Sequence, residues 1–269
     1  MASTVGREPD GVFARERQQQ IAAIVEARGR AHVGDLATRF GVSAVTIRKD
    51  LLVLESERRL VRTHGGAIAI GHNRTELAFA IRERLQRDEK TRIGAFAASL
   101  VSDGEGIALD ASTTALYLAR HLTTGDWQEL TVVTNGIPIA SELAGHPGIA
   151  VLMPGGRVRY EALSLIGQLG GSMFRKINVQ TAFVGAASFT VELGLSDSME
   201  EEAQIKRSMV AAAREVVAIV DHTKWGKVAA ATFCRTDHIN TVITDGAAPA
   251  EMVDSLRKLG VQVHLLGPE

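Results

Sequence analysis

The feature that most constrains this chain is an alternation that starts near residue 106 and continues almost to the last residue. Short apolar, β-type runs recur at Gly106–Leu109, Thr131–Thr134, Ile149–Met153, Gln180–Val184, Val216–Val220, Ile239–Thr244 and Val261–Leu265. Between most of them lie segments patterned for crossover helices, such as Thr114–Leu122, Ile137–Ala144, Glu200–Arg214 and Glu251–Leu259. Strands that alternate with helices in this way build a mostly parallel sheet with helices on both faces. The expected fold class for this part is therefore α/β, doubly wound.

The first seventy residues follow a different rhythm. Ile21, Ile24 and Val25 share one helical face that ends near Arg28-Gly29-Arg30. A second short helix is expected from about Val33 to Phe40, with Leu36, Ala37 and Phe40 inward. Gly41 supplies a turn that favours a residue without a Cβ. Ser43 stands where an N-cap belongs, its hydroxyl placed to accept from the Thr46 amide. Ile47, Leu51 and Leu54 then form the buried stripe of a third helix reaching about Arg58. Leu60–Thr63 and Ala67–Ile70 alternate as two short strands around His64-Gly65-Gly66. This order predicts a winged helix-turn-helix over residues 14–70, a hinge and charged connecting helix over 71–92, and an α/β domain over 93–269. Gly71-His72-Asn73 is the expected hinge, and Glu76–Lys90 reads as one charged helix.

Charge separates the same two parts. Residues 12–70 carry ten basic and six acidic side chains, a balance of +4, and the first eleven residues carry −1. The whole chain is −1, which leaves −4 for residues 71–269. A basic small segment joined to an acidic large one suits a polyanion that meets the first and not the second. No apolar run reaches the roughly 18 residues of a membrane span. The polar N-terminus also lacks the apolar stretch of a signal peptide. Cys234 is the sole cysteine, and the histidines show no metal-ligand spacing. The expectation is a cytoplasmic protein with no metal, no cofactor and no membrane partner.

Helical spacing sorts the third helix. With Ile47, Leu51 and Leu54 inward, the opposite side carries Val45, Lys49 and Leu52, with Thr46 and Arg48 on the flanks. In helix-turn-helix proteins the N-terminal part of such a helix enters the major groove. There Arg48 and Lys49 are suited to guanine edges or phosphates, and Thr46 to a phosphate or a thymine methyl. Arg62, Thr63 and His64 are placed to grip the adjacent backbone as a wing. Leu52 on this side has no assigned role except to cover the hairpin. The plainer alternative is a protein-interaction module with a solvated basic face.

The residues that carry a resemblance are Arg17-Gln18-Gln19-Gln20-Ile21, Asp35-Leu36-Ala37, Phe40-Gly41-Val42-Ser43, Thr46-Ile47-Arg48-Lys49-Asp50-Leu51, Leu54-Glu55 and Leu60-Val61-Arg62-Thr63-His64-Gly65-Gly66-Ala67. In this order they resemble the DeoR family of bacterial repressors. Glu57-Arg58-Arg59 departs from the family, which usually has a glycine closing the recognition helix. The resemblance continues through Glu89-Lys90, Leu109-Asp110-Ala111-Ser112-Thr113-Thr114, Val133-Thr134-Asn135, Gly155-Gly156, Gly185-Ala186, Glu202-Ala203-Gln204-Ile205-Lys206 and Asp221-His222-Thr223-Lys224. It implies a C-terminal domain similar to ribose-5-phosphate isomerase, with a sugar phosphate bound at the carboxyl ends of parallel strands.

The residues themselves agree at one place. Asp110 ends an apolar strand, and Ser112, Thr113 and Thr114 open the next helix. Hydroxyls and unpaired amides at a helix N-terminus cradle an anion, helped by the helix dipole. The alternative is that Ser112 and Thr113 are caps and nothing more. Thr134 and Asn135 end the next strand, where they suit sugar hydroxyls. Gly155-Gly156 allows close backbone approach, or is a plain turn. Lys206 and Lys224 suit a phosphate, although Glu202 and Lys206 also have the spacing of a helical ion pair and Lys224 suits a surface position.

An active isomerase needs a positioned carboxylate base. Gly185-Ala186-Ala187-Ser188 lacks the acidic cluster that follows the corresponding isomerase strand. The expectation is therefore a non-enzymatic, sequence-specific repressor of double-stranded DNA, homodimeric or homotetrameric, that binds a phosphorylated effector without turnover. A sugar-phosphate isomerase-like enzyme with an accessory DNA-binding module is the alternative.

Overall fold

The computed structural model describes residues 10–28, 30–57, 59–63, 65–69 and 79–267. The chain divides into two compact units, residues 1–75 and 76–269. His64 and the Gly71-His72-Asn73 segment lie outside the described residues.

The first unit runs α1 (Asp10–Arg28), β1 (Arg30–His32), α2 (Val33–Phe40), α3 (Ala44–Ser56), β2 (Leu60–Thr63) and β3 (Gly66–Ala69). Ile21, Val25, Leu36, Ile47, Leu51, Leu54 and Leu60 are buried together, as the helical and strand periods require. Gly41 takes the left-handed conformation (φ 63°, ψ 30°), and its amide closes on the Ala37 carbonyl. Two features differ from the sequence expectation. The hairpin is joined by a third strand, β1, which pairs antiparallel with β3; at three residues it is too short to show a period. The third helix stops at Ser56. Glu57 lies at φ −78°, ψ 1°, and the Arg59 amide reaches back 2.9 Å to the Leu54 carbonyl. Glu57 is thus not in the left-handed conformation in which a terminating glycine usually sits.

The second unit begins with α4 (Phe79–Arg84) and α5 (Arg87–Ala98). The continuous charged helix expected from Glu76 to Lys90 is broken at Leu85-Gln86, where Gln86 has φ 48°. The Lys90 ammonium donates to the Arg82 and Leu85 carbonyls at 2.5 and 2.6 Å, satisfying the groups left open by the break. The chain continues through β4 (Gly106–Leu109), α6 (Thr113–Leu122), β5 (Leu130–Thr134), α7 (Ile137–Leu143), β6 (Ile149–Leu152), β7 (Arg157–Arg159), β8 (Ser164–Ile166) and α8 (Gln168–Phe174). It ends with β9 (Val179–Val184), β10 (Ser188–Thr190), β11 (Gly194–Asp197), α9 (Glu200–Ala212), β12 (Ala213–Ile219), β13 (Ala231–Cys234), β14 (Thr241–Asp245), α10 (Ala250–Lys258) and β15 (Gln262–Leu266).

The seven expected strands form one sheet in the order β15-β14-β12-β9-β4-β5-β6, parallel at every pairing. One apolar cluster packs α5, α6 and α7 on one face, and a second packs α8, α9 and α10 on the other. Helix α9 ends two residues before the expected Arg214, because Ala213 already pairs with Val179 of β9. The β7–β8 hairpin and the small antiparallel sheet β10-β11-β13 had no sequence counterpart; their strands have three or four residues each. Among the described residues, no helix is long and apolar enough to cross a membrane.

Candidate DNA interface and effector site

The N-cap of α3 forms as the sequence predicts. Ser43 Oγ accepts from the Thr46 amide at 3.1 Å and lies 2.9 Å from Thr46 Oγ1. Ile47, Leu51 and Leu54 are fully buried, which turns Ser43, Val45, Arg48 and Lys49 outward as exposed side chains and leaves Thr46 half-buried. Leu52 is exposed as well, so it does not cover the hairpin. On β2, Thr63 is half-buried and Arg62 lies 3.7 Å from Glu55 of α3, whose other oxygen accepts from the Arg62 amide. This contact ties β2 to the end of α3.

Three motif residues have a role that periodicity did not show. Asp50, on the inward side of α3, is 3% exposed. Arg17 Nε and Nη2 donate to its two oxygens at 2.6 and 3.2 Å, and Gln18 Nε2 donates at 2.9 Å. A forked guanidinium–carboxylate pair has fixed geometry, so it sets the roll of α3 against α1 and with it the direction of Arg48 and Lys49.

In the second unit the polar residues converge where β4, β5, β9 and β12 end. Asp110 follows β4 and is wholly buried. Its Oδ1 accepts from the Ser112 amide at 3.2 Å; its Oδ2 accepts from the Gly185 amide at 3.0 Å and meets Lys206 Nζ at 2.7 Å. The same ammonium reaches Asp197 Oδ2 at 2.7 Å and the Gly185 carbonyl at 2.9 Å. All three of its donors are engaged within the protein. Burial alone would lower the Lys206 pKa, but Asp110 and Asp197 override it and hold it above the ordinary lysine range. Burial likewise pushes Asp197 up, and Lys206 outweighs that and keeps it below the ordinary carboxylate range. Lys206 therefore organises the site and has no donor left for a ligand, contrary to the sequence expectation. A Cβ on Gly185 would stand 2.5 Å from Ser112 Oγ, so glycine permits the close approach of β9 to the α6 cap.

Ser112 caps α6, accepting from the Ala115 amide at 3.1 Å, and Thr113 and Thr114 are buried in its first turn. Thr134 and Asn135 are both buried; Thr134 Oγ1 accepts from the Gly136 amide, and Asn135 Nδ2 donates to the Leu165 carbonyl at 3.2 Å. Glu202 does not pair with Lys206. Its Oε1 accepts from Ser164 Oγ and from Arg159 Nη1 at 3.1 Å, because the side chain points to the β7–β8 hairpin while Lys206 points to Asp110. At Gly156 (φ 155°) a Cβ would lie 2.4 Å from the Ile166 carbonyl, and at Gly155 it would meet only Leu169, at 3.9 Å. The pair leads into the β7–β8 hairpin.

Lys224 sits in a short turn after Asp221, which caps that turn through the Thr223 amide. Burial lowers the Lys224 pKa, partly offset by Asp221 and reinforced by Arg82. Neither an ion pair nor a side-chain hydrogen bond joins its ammonium to any described residue. Arg82 of α4 lies within the field of Asp197, Glu202 and Asp110, although burial lowers its pKa overall. Arg82, Arg159, Ser164 and Asp197 were not singled out in the sequence, because elements without a period carry them or, for Arg82, a charged stretch hides it. Among the described residues, no cluster of histidine, cysteine or acidic side chains has the arrangement of a metal site.

Comparison with known proteins agrees with this geometry. Residues 17–73 match the DeoR-like helix-turn-helix domain, and residues 85–246 match the DeoR C terminal sensor domain. The chain is 36% identical to the HTH-type transcriptional regulator YulB of Bacillus subtilis, covering 92% of this chain and 95% of that one. It is 33% identical to the regulator GolR of Listeria innocua, covering 94% and 99%. It is 31% identical to the repressor GlcR of Bacillus subtilis, covering 94% and 96%. Among solved structures, ribose 5-phosphate isomerase A of Methanocaldococcus jannaschii aligns with a TM-score of 0.38 at 19% identity, over 52% of this chain and 54% of that one. The helix-turn-helix with its outward basic face, the parallel-sheet sensor unit and these full-length relatives together make the chain a member of the DeoR family of DNA-binding transcriptional regulators.

Proposed function

We propose that this regulator is a cytoplasmic repressor released from its operator by a small phosphorylated metabolite, a sugar phosphate, bound where the strands of the sensor domain end. The single observation that carries this reading is the Lys224 ammonium: half-buried, without an ion pair among the described residues, and close enough to Arg82 to feel its charge. Asp221 and Asp197 offset only part of the cost of its burial, and a phosphate is a partner that relieves the rest. The capped N-terminus of α6 at Ser112, Thr113 and Thr114 supplies further amide donors. Turnover is not expected, because Asp110, Asp197 and Glu202 are all engaged in the network around Lys206 and Arg159.

The connecting segment supports a route to the DNA-binding unit. Helix α4 is held at its first residue, where the Phe79 amide donates to the Glu161 carbonyl at 2.8 Å, and at its last turn by Lys90. Glu161 lies in the β7–β8 turn, and the strands of that hairpin hold Glu202 through Arg159 and Ser164. A ligand that shifts the hairpin thus shifts α4. In a homodimer or homotetramer this shift changes the spacing of recognition helices on successive major grooves, so effector and operator weaken each other reciprocally.

The test is a thermal-shift screen of pentose and hexose phosphates, followed by titration of each hit into the protein–operator complex. A hit raises the melting temperature and lowers operator affinity; at about 100 times its Kd it stabilises by about 2.7 kcal/mol. Lys224→Met removes both responses. The reading fails if no phosphorylated compound changes either, or if Lys224→Met responds as the unaltered chain does.

A further inference from the structure

We infer that the operator half-site carries thymines on both sides of the base met by Lys49, and that Val45 and Leu52 read them through their C5-methyl groups. This rests on the reading of α3 as the helix that enters the major groove, and adds to it which bases the helix selects. Val45 and Leu52 are large apolar side chains that the fold does not use. They are 59% and 51% exposed, while Ile47, Leu51 and Leu54 fill the core beneath α3. Val45 gains nothing from packing, and a β-branched residue is a poorer helix former than most alternatives. A single exposed apolar residue needs no explanation. Two on one stripe of the helix, on the side away from the core, do.

At about 100° per residue, Val45, Lys49 and Leu52 fall within an arc of about 60°. Val45 lies about 6 Å before Lys49 along the helix axis and Leu52 about 4.5 Å beyond it, so the stripe spans about three base-pair steps. Its order is apolar, cationic, apolar. Arg48 stands exposed on the adjoining flank. The two cations suit this face to a polyanion and not to another apolar surface.

Base edges decide what the two apolar side chains can meet. Guanine, adenine and cytosine present hydrogen-bonding groups in the major groove, and an apolar side chain placed against them strips their water and returns no bond. Thymine alone adds a methyl group. Thr46, which by its position suits the same contact, is half-buried, and its hydroxyl lies 2.9 Å from Ser43 Oγ within the cap of α3. In the first turn it is Val45 that presents a large apolar side chain outward.

Selection of duplexes from a randomised pool by the full chain, followed by fluorescence anisotropy on the selected operator, tests this. Each thymine in turn is replaced by deoxyuridine, which keeps the base pair and removes the methyl group. Affinity is expected to fall about fourfold at one position on each side of the central base, the worth of one buried methyl group. Val45→Ala should abolish the loss at one of these positions and Leu52→Ala at the other, a coupling that separates direct contact from general weakening. Both residues are exposed, so the variants should keep the fold, which urea unfolding checks. Operator binding that is indifferent to deoxyuridine at every position overturns the inference and leaves α3 as the reading helix. Losses that persist unchanged in both variants give the methyl contacts to other residues and overturn it as well. Coupling to Val45 alone overturns the assignment of Leu52. Failure to prefer any duplex over the random pool overturns both the inference and the groove reading.

Discussion

The recognition helix and the strand ends of the sensor domain both depend on charged side chains, and they use them in opposite ways. On α3 the outward cations, Arg48 and Lys49, stand exposed on the face away from Ile47, Leu51 and Leu54. At the strand ends Lys206 is buried with two carboxylates, Asp110 just after β4 and Asp197 at the end of β11, far apart in the chain. The exposed pair is free to meet a partner and contributes little to folding. The buried group is committed to the fold, with all three of its donors engaged inside the protein. Lys224, half-buried and without an ion pair or side-chain hydrogen bond to any described residue, resembles the exposed class, and the proposed ligand rests on it.

The sharpest way to break this contrast is to remove cations from each side. Arg48→Ala with Lys49→Ala should weaken specific duplex binding by about 2–6 kcal/mol, at about 1–3 kcal/mol for each base contact. Stability should stay within about 0.5 kcal/mol, as for exposed substitutions generally. Fluorescence anisotropy at fixed salt, on operator and on random duplex, together with urea unfolding, measures both. A double variant that keeps its preference for operator removes these residues from the interface.

Lys206→Met should do the reverse. It leaves Asp110 and Asp197 buried without their cation and should cost about 3–5 kcal/mol of sensor-domain stability. The acid limb carries a further signature. The folded Asp197 pKa lies below its ordinary value of 3.8, so its contribution is present above that value and disappears as pH falls through the folded one. The unaltered chain should lose stability in that window, and the variant should lose less. Unfolding curves from neutral pH down to about pH 3 would show a parallel decline in the two proteins if the triad does not act through charge.

The smallest effect concerns Lys90, which lies between the two classes, buried yet bonded only to carbonyls. Burial lowers its pKa from 10.5 to about 8, against a partly opposing attraction from Asp221. Between those values the unfolded chain binds more protons than the folded one, so this residue makes folding more favourable as pH rises. The slope approaches about 1.4 kcal/mol per pH unit. Relative to Lys90→Met, the unaltered chain should gain stability from about pH 8 to about pH 10. A difference that stays flat across that range would place Lys90 with the exposed cations.

Much of the fold was legible because periodicity is a local property. A stripe such as Ile47, Leu51 and Leu54, or a run such as Gly106–Leu109, reports which side faces the core, whatever the rest of the chain does. The caps at Ser43 and Ser112 were legible for the same reason, since a cap joins residues three apart. Elements of three residues, β1, β7, β8 and β10, were not, because a period cannot be read from so few positions. The break at Gln86 was hidden by a charged run that suits one helix as well as two.

The sequence by itself determined the seven strands of the parallel sheet, the outward face of α3 and the place where strands meet a helix cap. Each of these follows from interactions between residues close in the chain. Only the tertiary structure decided which charges neutralise one another: Arg17 with Asp50, Arg159 with Glu202, and Lys206 with Asp110 and Asp197. Those pairings join residues tens of positions apart, and a charge carries no mark of its partner until folding removes the water between them.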